Sequence, residues 1–228
     1  HVRRRYAQHH GVLELAQAIH LLVEVMRRAY ADRARYLGDA DHVSVPVARL
    51  LNRGYAQRLV QQIDPGRATP SPVLSDPPAE GRDTTHFSVL DAAGNRVAAT
   101  LSVNYPFGSG FVAAGTGVLL NDEMDDFSAK PGSANAYGLI GNHANAIAPG
   151  KRMLSSMSPT ILESERGVAI LGTPGGSRII SAVTIATIAW TRGADAATPA
   201  ACARSSAVSR ARAFMVRRLW PRRGPPAR

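Results

Sequence analysis

Asp83-Thr84-Thr85-His86-Phe87-Ser88-Val89-Leu90-Asp91 is the stretch on which the fold of this chain turns. Before it, residues 64–83 hold five prolines and two glycines among scattered charges, the composition of a linker or exposed loop. After it, Phe87–Leu90 and Val97–Val103 flank the turn-rich break Asp91-Ala92-Ala93-Gly94-Asn95, which predicts a β-hairpin. A linker thus runs into a hydroxyl residue at the head of a strand. This arrangement suits an N-terminal nucleophile. A threonine hydroxyl attacks poorly at neutral pH, but as the first residue of a chain its own α-amine can serve as the base. The same pattern also describes an ordinary strand-leading threonine.

On the N-terminal side two helices are expected. Over residues 11–34, Val12, Leu15, Ala16, Ile19, Leu22, Val23 and Met26 recur at spacings of three and four and mark one apolar face. Arg27, Arg28, Arg33 and Arg35 crowd its C-terminal end, where cations suit the helix dipole. Pro46–Ile63 reads as a second amphipathic helix, with Val47, Leu50, Leu51, Tyr55, Leu59 and Ile63 apolar. On the C-terminal side, short apolar runs at Phe111–Ala114 and Val118–Leu120 precede a loop-rich stretch over 121–152. Strands are expected at Pro159–Glu163 and Val168–Gly172. Pro174-Gly175-Gly176-Ser177 then opens a buried helix, Ile179–Trp190. Strands alternating with loops and flanked by helices give an α+β domain in layers.

Composition narrows the function. At 228 residues, 45% apolar and 19% charged, the chain can bury a core. No apolar run reaches the ~18 residues of a membrane span. One cysteine, Cys202, excludes an internal disulfide framework, and no His/Cys spacing resembles a zinc site, so neither a metal nor a cofactor is expected. The net charge of +10 is misleading, because eight arginines and no acid from residue 201 onward leave the first 200 residues at +2. A nucleic-acid partner would rest on that tail alone and is not expected. The chain begins with His1 and shows no signal-peptide pattern, the expectation for a piece of something longer or one whose targeting segment is gone.

Five ordered motifs carry a family resemblance. They are Thr84–Val89, Asn104-Tyr105-Pro106-Phe107-Gly108-Ser109-Gly110, Gly117–Ser128, Lys151–Thr160 and Gly172–Ile180. Together they closely resemble the catalytic small subunit of the γ-glutamyltranspeptidases, and Ala31–Asp39 resembles the end of that family's large subunit. The resemblance covers roughly residues 12–190. It implies an N-terminal nucleophile hydrolase with an αββα four-layer sandwich, here incomplete at both ends. It divides the chain into 1–83, the end of the large subunit plus linker; 84–192, the small-subunit core; and 193–228, a basic low-complexity tail. Large and small subunits come from one precursor, cut between Asp83 and Thr84. Thr84 then attacks γ-glutamyl donors such as glutathione, and water or an amino-acid or peptide amine releases the acyl group. Relatives in bacteria are periplasmic or extracellular.

The resemblance also assigns residues. Ser102 stands where the family usually has a threonine bonded to the nucleophile; it keeps the hydroxyl and loses a methyl that stiffens the rotamer. Asn104 helps hold the amino-acid end of the substrate. Glu123 and Asp126 hold its α-ammonium, for which carboxylates are the natural partners. Ser155 and Ser156 bind the α-carboxylate. Gly175 and Gly176 form the oxyanion hole, where adjacent glycines let N–H groups approach a ligand at a helix start. Tyr137 belongs to a substrate-covering lid. His86 and His143 are read as structural.

Two departures bear on activity. The family's large subunit is far longer than residues 1–83, and nothing here aligns with its carboxylate-binding arginine. Past residue 192 the family's patterned strand and helix give way to Arg/Ala/Pro text that reads like a shifted frame. Made alone, the chain is expected to leave apolar sheet faces uncovered and to mature poorly. Two other readings stand beside the first. One is a cephalosporin or glutaryl acylase-like amidase, or a poly-γ-glutamate transpeptidase, on the same fold. The other is an inactive remnant with a basic binding tail. The acidic pair and the serine pair favour a substrate bearing both an α-amine and an α-carboxylate.

Overall fold

A computed structural model describes residues 2–70, 84–133, 139–165 and 167–193. The chain divides into two compact units, one made of residues 1–77 and 126–154, the other of 78–125 and 155–228.

In the first unit, α1 runs over Val2–Tyr36, α2 over Val47–Leu50 and α3 over Arg53–Val60. The apolar stripe read on α1 is not its buried face: Leu15 is 61% exposed, Ile19 54% and Val23 46%. Among the described side chains of α1, the buried one is Glu24, at 2% exposure. Its carboxylate accepts from Arg28 (2.6 Å) and from the backbone N–H and hydroxyl of Thr69 (2.9 and 2.6 Å). Those donors hold its pKa down at about 2, below the usual 4.5. Arg28 also donates to the Gln62 carbonyl, Arg27 to that of Pro70, and His20 to that of Asp64. A polar stripe thus fastens the segment 62–70 along the helix.

The single helix expected over Pro46–Ile63 is two. The backbone of Asn52 is extended (φ −75°, ψ 125°), and its side chain accepts from the N–H of Tyr55 at 3.0 Å. This is an N-cap, which starts a new helix and ends the old one. Tyr55 is buried and donates its hydroxyl to Asp32, while the Arg49 guanidinium lies over the rings of Tyr36 and Tyr55. The remaining part of the unit centres on Asp39. Its buried carboxylate accepts from the N–H of Arg152 (2.8 Å), its Nε (2.9 Å) and its Nη2 (2.6 Å), and Arg152 also pairs with Asp41. Buried Asn145 donates to the Asp126 carbonyl and accepts from the N–H of Leu154.

Among its described residues, the second unit has two antiparallel hairpins and one α-helix. β1 (Thr84–Leu90) pairs with β2 (Arg96–Ser102), and β3 (Thr160–Ser164) pairs with β4 (Gly167–Leu171), as two separate two-stranded sheets. The turn joining β1 to β2 closes on Asp91, whose carboxylate accepts from the backbone and side-chain nitrogens of Asn95. The runs at 111–114 and 118–120 meet only as an isolated bridge, Val112 to Leu119. α4 (Ile179–Thr191) lays Ala186 and Trp190 on Ala169 and Leu171 of β4, and this is the apolar core. Alternation turns the Ile170 side chain to the other face of β4, and its backbone carbonyl accepts from Ser88 of β1.

The β1–β2 hairpin therefore presents its polar side inward. The register sets Thr84 opposite Ser102 and His86 opposite Thr100 on one face. On the other, Phe87, Val89, Val97 and Leu101 are between 45% and 55% exposed. This is an uncovered apolar sheet face.

Candidate active site

The polar face of the hairpin carries the residue on which the sequence reading turned. Thr84 is the first residue of β1, and its Oγ1 lies 3.1 Å from Oγ of Ser102, the last residue of β2. Directly paired strand residues on one face bring such short side chains into reach. Ser102 Oγ also accepts from the N–H of Asn104 at 2.9 Å. Ser102 Oγ thus accepts from the backbone while sharing a hydrogen bond with Thr84 Oγ1, in which either hydroxyl can donate.

Asn104 is buried and has φ +74°, a left-handed conformation that asparagine tolerates better than most residues. Its side-chain amide donates to the Asp122 carbonyl at 3.3 Å. The Asp122 carboxylate accepts from the N–H of Tyr105, and Tyr105 donates its hydroxyl to Asp125. Asp122, to which the family motif assigns no part, anchors the backbone around Asn104. The signal for it was Asn104 itself, since a strained buried asparagine needs a partner across the loop.

Glu123 and Asp126 open and close one four-residue 3-10 turn. In that geometry residues three apart stack along one side. Glu123 Oε1 is buried and has no hydrogen-bond partner among the described residues. A buried carboxylate oxygen in that state calls for a donor. Ser155 and Ser156 lie on an irregular stretch before β3; Ser155 Oγ accepts from the N–H of Met157, and the Ser156 carbonyl accepts from the Ser158 hydroxyl.

Gly175 and Gly176 adopt φ +138° and +55°, where a side chain would strain the backbone. A 3-10 turn, Gly176–Arg178, leads straight into α4, so these N–H groups belong to the start of a helix. His86 is buried and hydrogen-bonded to Thr100 and Ser88, and burial lowers its pKa below 6.5, which keeps the ring neutral.

The structure thus brings Thr84, Ser102 and Asn104 into one hydrogen-bonded chain, with Asp122 next along it and Glu123 following Asp122 in sequence. Ser155 and Ser156 precede β3, and Gly175 and Gly176 follow β4. Asp83, Tyr137 and the tail from residue 194 lie outside the described residues. Among the described residues, no group of three or more His, Cys, Asp and Glu side chains could hold a metal ion.

Comparison with known proteins gives a consistent family. The glutathione hydrolase proenzyme of Pseudomonas aeruginosa is 52% identical over 181 residues, covering 78% of this chain and 32% of that protein. Its counterpart in Escherichia coli is 50% identical over 172 residues, 74% of this chain and 30% of that protein. The solved γ-glutamyltranspeptidase of Pseudomonas nitroreducens complexed with L-DON matches at 52% identity and a TM-score of 0.47, over 51% of this chain and 61% of that one. The chain spans about a third of the length of the curated relatives it matches. The family model described as Gamma-glutamyltranspeptidase matches residues 2–206, and the chain belongs to the γ-glutamyltranspeptidase family.

Proposed function

We propose that this chain carries the nucleophile half of a γ-glutamyl transfer and hydrolysis site, with Thr84 as a self-processed N-terminal nucleophile. The observation that carries the reading is the hydrogen-bonded chain of Asn104 N–H, Ser102 Oγ and Thr84 Oγ1 at the head of β1. In maturation, Thr84 Oγ1 attacks the Asp83 carbonyl and the peptide becomes an ester. That shift breaks the Asp83–Thr84 C–N bond and frees the Thr84 α-amine, and water then hydrolyses the ester, releasing the Asp83 carboxylate and restoring the Thr84 hydroxyl. In turnover, that amine takes the hydroxyl proton as Oγ1 attacks the γ-carbonyl of the donor, and passes it to the leaving amine. A γ-glutamyl ester remains on Thr84. Water releases glutamate from it, or an amino-acid or peptide amine takes the acyl group.

Ser102 hydrogen-bonds Oγ1 and orients it. The N–H groups of Gly175 and Gly176 receive the negative charge that develops on the attacked carbonyl. The Glu123 carboxylate, with an oxygen in want of a donor, and Asp126 hold the substrate α-ammonium. Ser155 and Ser156 take the α-carboxylate, Asn104 steadies the amino-acid end, and Tyr137 covers the site. Glutathione fits this requirement as donor. The fold that suits the chemistry is an αββα sandwich, to which the described hairpins and α4 contribute. The compartment that suits it is periplasmic or extracellular.

Intact mass spectrometry after incubation at neutral pH tests the nucleophile. Slow appearance of pieces of 83 and 145 residues, in low yield, is the expected outcome, and a mass unchanged over days overturns the reading for this chain. Hydrolysis of γ-glutamyl-anilide over glutaryl-anilide tests the substrate class, and preference for glutaryl would overturn it in favour of an acylase.

A further inference from the structure

His86 takes no part in the chemistry above, yet it is among the most enclosed polar side chains of the second unit, at 5% exposure. Its ring is held from three sides. Nδ1 lies 2.8 Å from Thr100 Oγ1, and Nε2 lies 3.1 Å from Ser88 Oγ. Ser88 gives its single proton to the Ile170 carbonyl, at 3.4 Å. It must therefore accept from His86, which puts the imidazole proton on Nε2 and makes Nδ1 the acceptor for Thr100. Each ring nitrogen is satisfied in one tautomer.

The third side is backbone. A Cβ placed on Gly172 would overlap Nδ1 and Cε1 of the ring. Only a glycine lets the strand end come this close. The two residues so joined lie beside the two halves of the proposed site. His86 is two residues beyond Thr84 on the same face of β1. Gly172 follows the end of β4, three residues before Gly175, and buried Thr173 and half-buried Pro174 are all that separates them.

Resting on the reading of Thr84, Gly175 and Gly176 given above, we infer that His86 is a positioning residue, the spacer that sets the Gly175-Gly176 turn relative to the strand that carries Thr84. The ring neither touches substrate nor moves a proton. Its thickness, and the absence of a side chain on Gly172, fix how far the glycine N–H groups stand from the nucleophile's strand. Displacements of about 1 Å in such a site cost on the order of a hundredfold in rate.

The experiment uses the full chain with 15N-labelled glycine and three variants: Gly172→Ala, His86→Ala and the double variant. In Gly172→Ala the amide resonances of Gly175 and Gly176 are expected to shift, and cleavage ahead of Thr84 to slow by about a hundredfold. In the double variant the space left by the ring receives the new methyl, and both readouts should recover most of the way. A residue that only filled the core would not give this coupled recovery at the two glycines. If Gly172→Ala does not fold, His86→Asn replaces it, because its carbonyl still accepts from Thr100 while its smaller group leaves Gly172 uncovered; the same two resonances should move. Resonances of Gly175 and Gly176 that stay in place in the single variants, or that move without recovering in the double one, would overturn the inference. If the unaltered chain does not cleave, the reading of Thr84 falls, and the glycine resonances still decide the role of His86.

Discussion

In the first unit, Glu24 and Asp39 are buried carboxylates that each gather three or more donors, at least two of them from a distant residue; in the second, Ala169 and Leu171 meet Ala186 and Trp190 with no charge among them. Charge-assisted hydrogen bonds have direction, so they can hold a loop such as 62–70 or 39–41 in one place without a large apolar area. Apolar packing lacks direction but persists across pH. The proposed nucleophile sits in the unit built the second way. The lesson is that the chain assigns polar clamps to its connections and apolar contact to the strand and helix that support the candidate site.

The largest expected effect separates chemistry from both kinds of support. Thr84→Ala should abolish cleavage into pieces of 83 and 145 residues while leaving amide protection in both units unchanged. Loss of protection in either unit would show that Thr84 is a structural residue. Next in size is Trp190→Ala, expected to cost about 3–5 kcal/mol. Hydrogen exchange should then rise through β3, β4 and α4, with protection around Glu24 and Asp39 retained. A uniform loss over both units would dissolve the comparison.

Acid sharpens it further. The folded pKa of His86 lies below its ordinary 6.5, so its stabilisation is complete above pH 6.5 and fades as the pH falls toward the lowered value. Glu24 is lowered from 4.5 to about 2, so its contribution is complete above 4.5 and lost as the pH falls through about 2. Asp39 is likewise held below 3.8 by Arg152. The second unit should therefore loosen first as pH falls from 7 to 5, and the first unit only below about 4.5, as read by exchange at each pH. The reverse order would mean that buried His86 contributes little and that the apolar core, which has no titrating group, holds the second unit through this range. The smallest effect is Asn52→Ala, about 1 kcal/mol, felt in α3 alone and measured by local exchange.

What the sequence made legible follows from the range of the interactions. The β1–β2 hairpin, the β3–β4 pair and α4 were readable because alternation, turn residues and helical spacing are local. Thr84 and Ser102 were readable through the family motif, and the hairpin register explains their contact. The break at Asn52 was missed because the apolar spacing continues across it while the cap acts through one side chain. Burial of Glu24 rather than of Leu15, Ile19 and Val23 was missed because its partner Thr69 lies 45 residues away. Nothing in the spacing of His86 announces Gly172, which approaches from another strand.

The division of the first unit into residues 1–77 and 126–154 has a consequence for maturation. The bond ahead of Thr84 lies between those two segments, and Asp39 and Arg152, 113 residues apart, face each other across it. A cut there would leave one unit built from two polypeptides. What had been closure of a loop within one molecule would become association between two, and the effective concentration supplied by the intervening chain would be gone. From that moment the first unit's stability would depend on dilution, and the Asp39–Arg152 pair would be a bond between subunits.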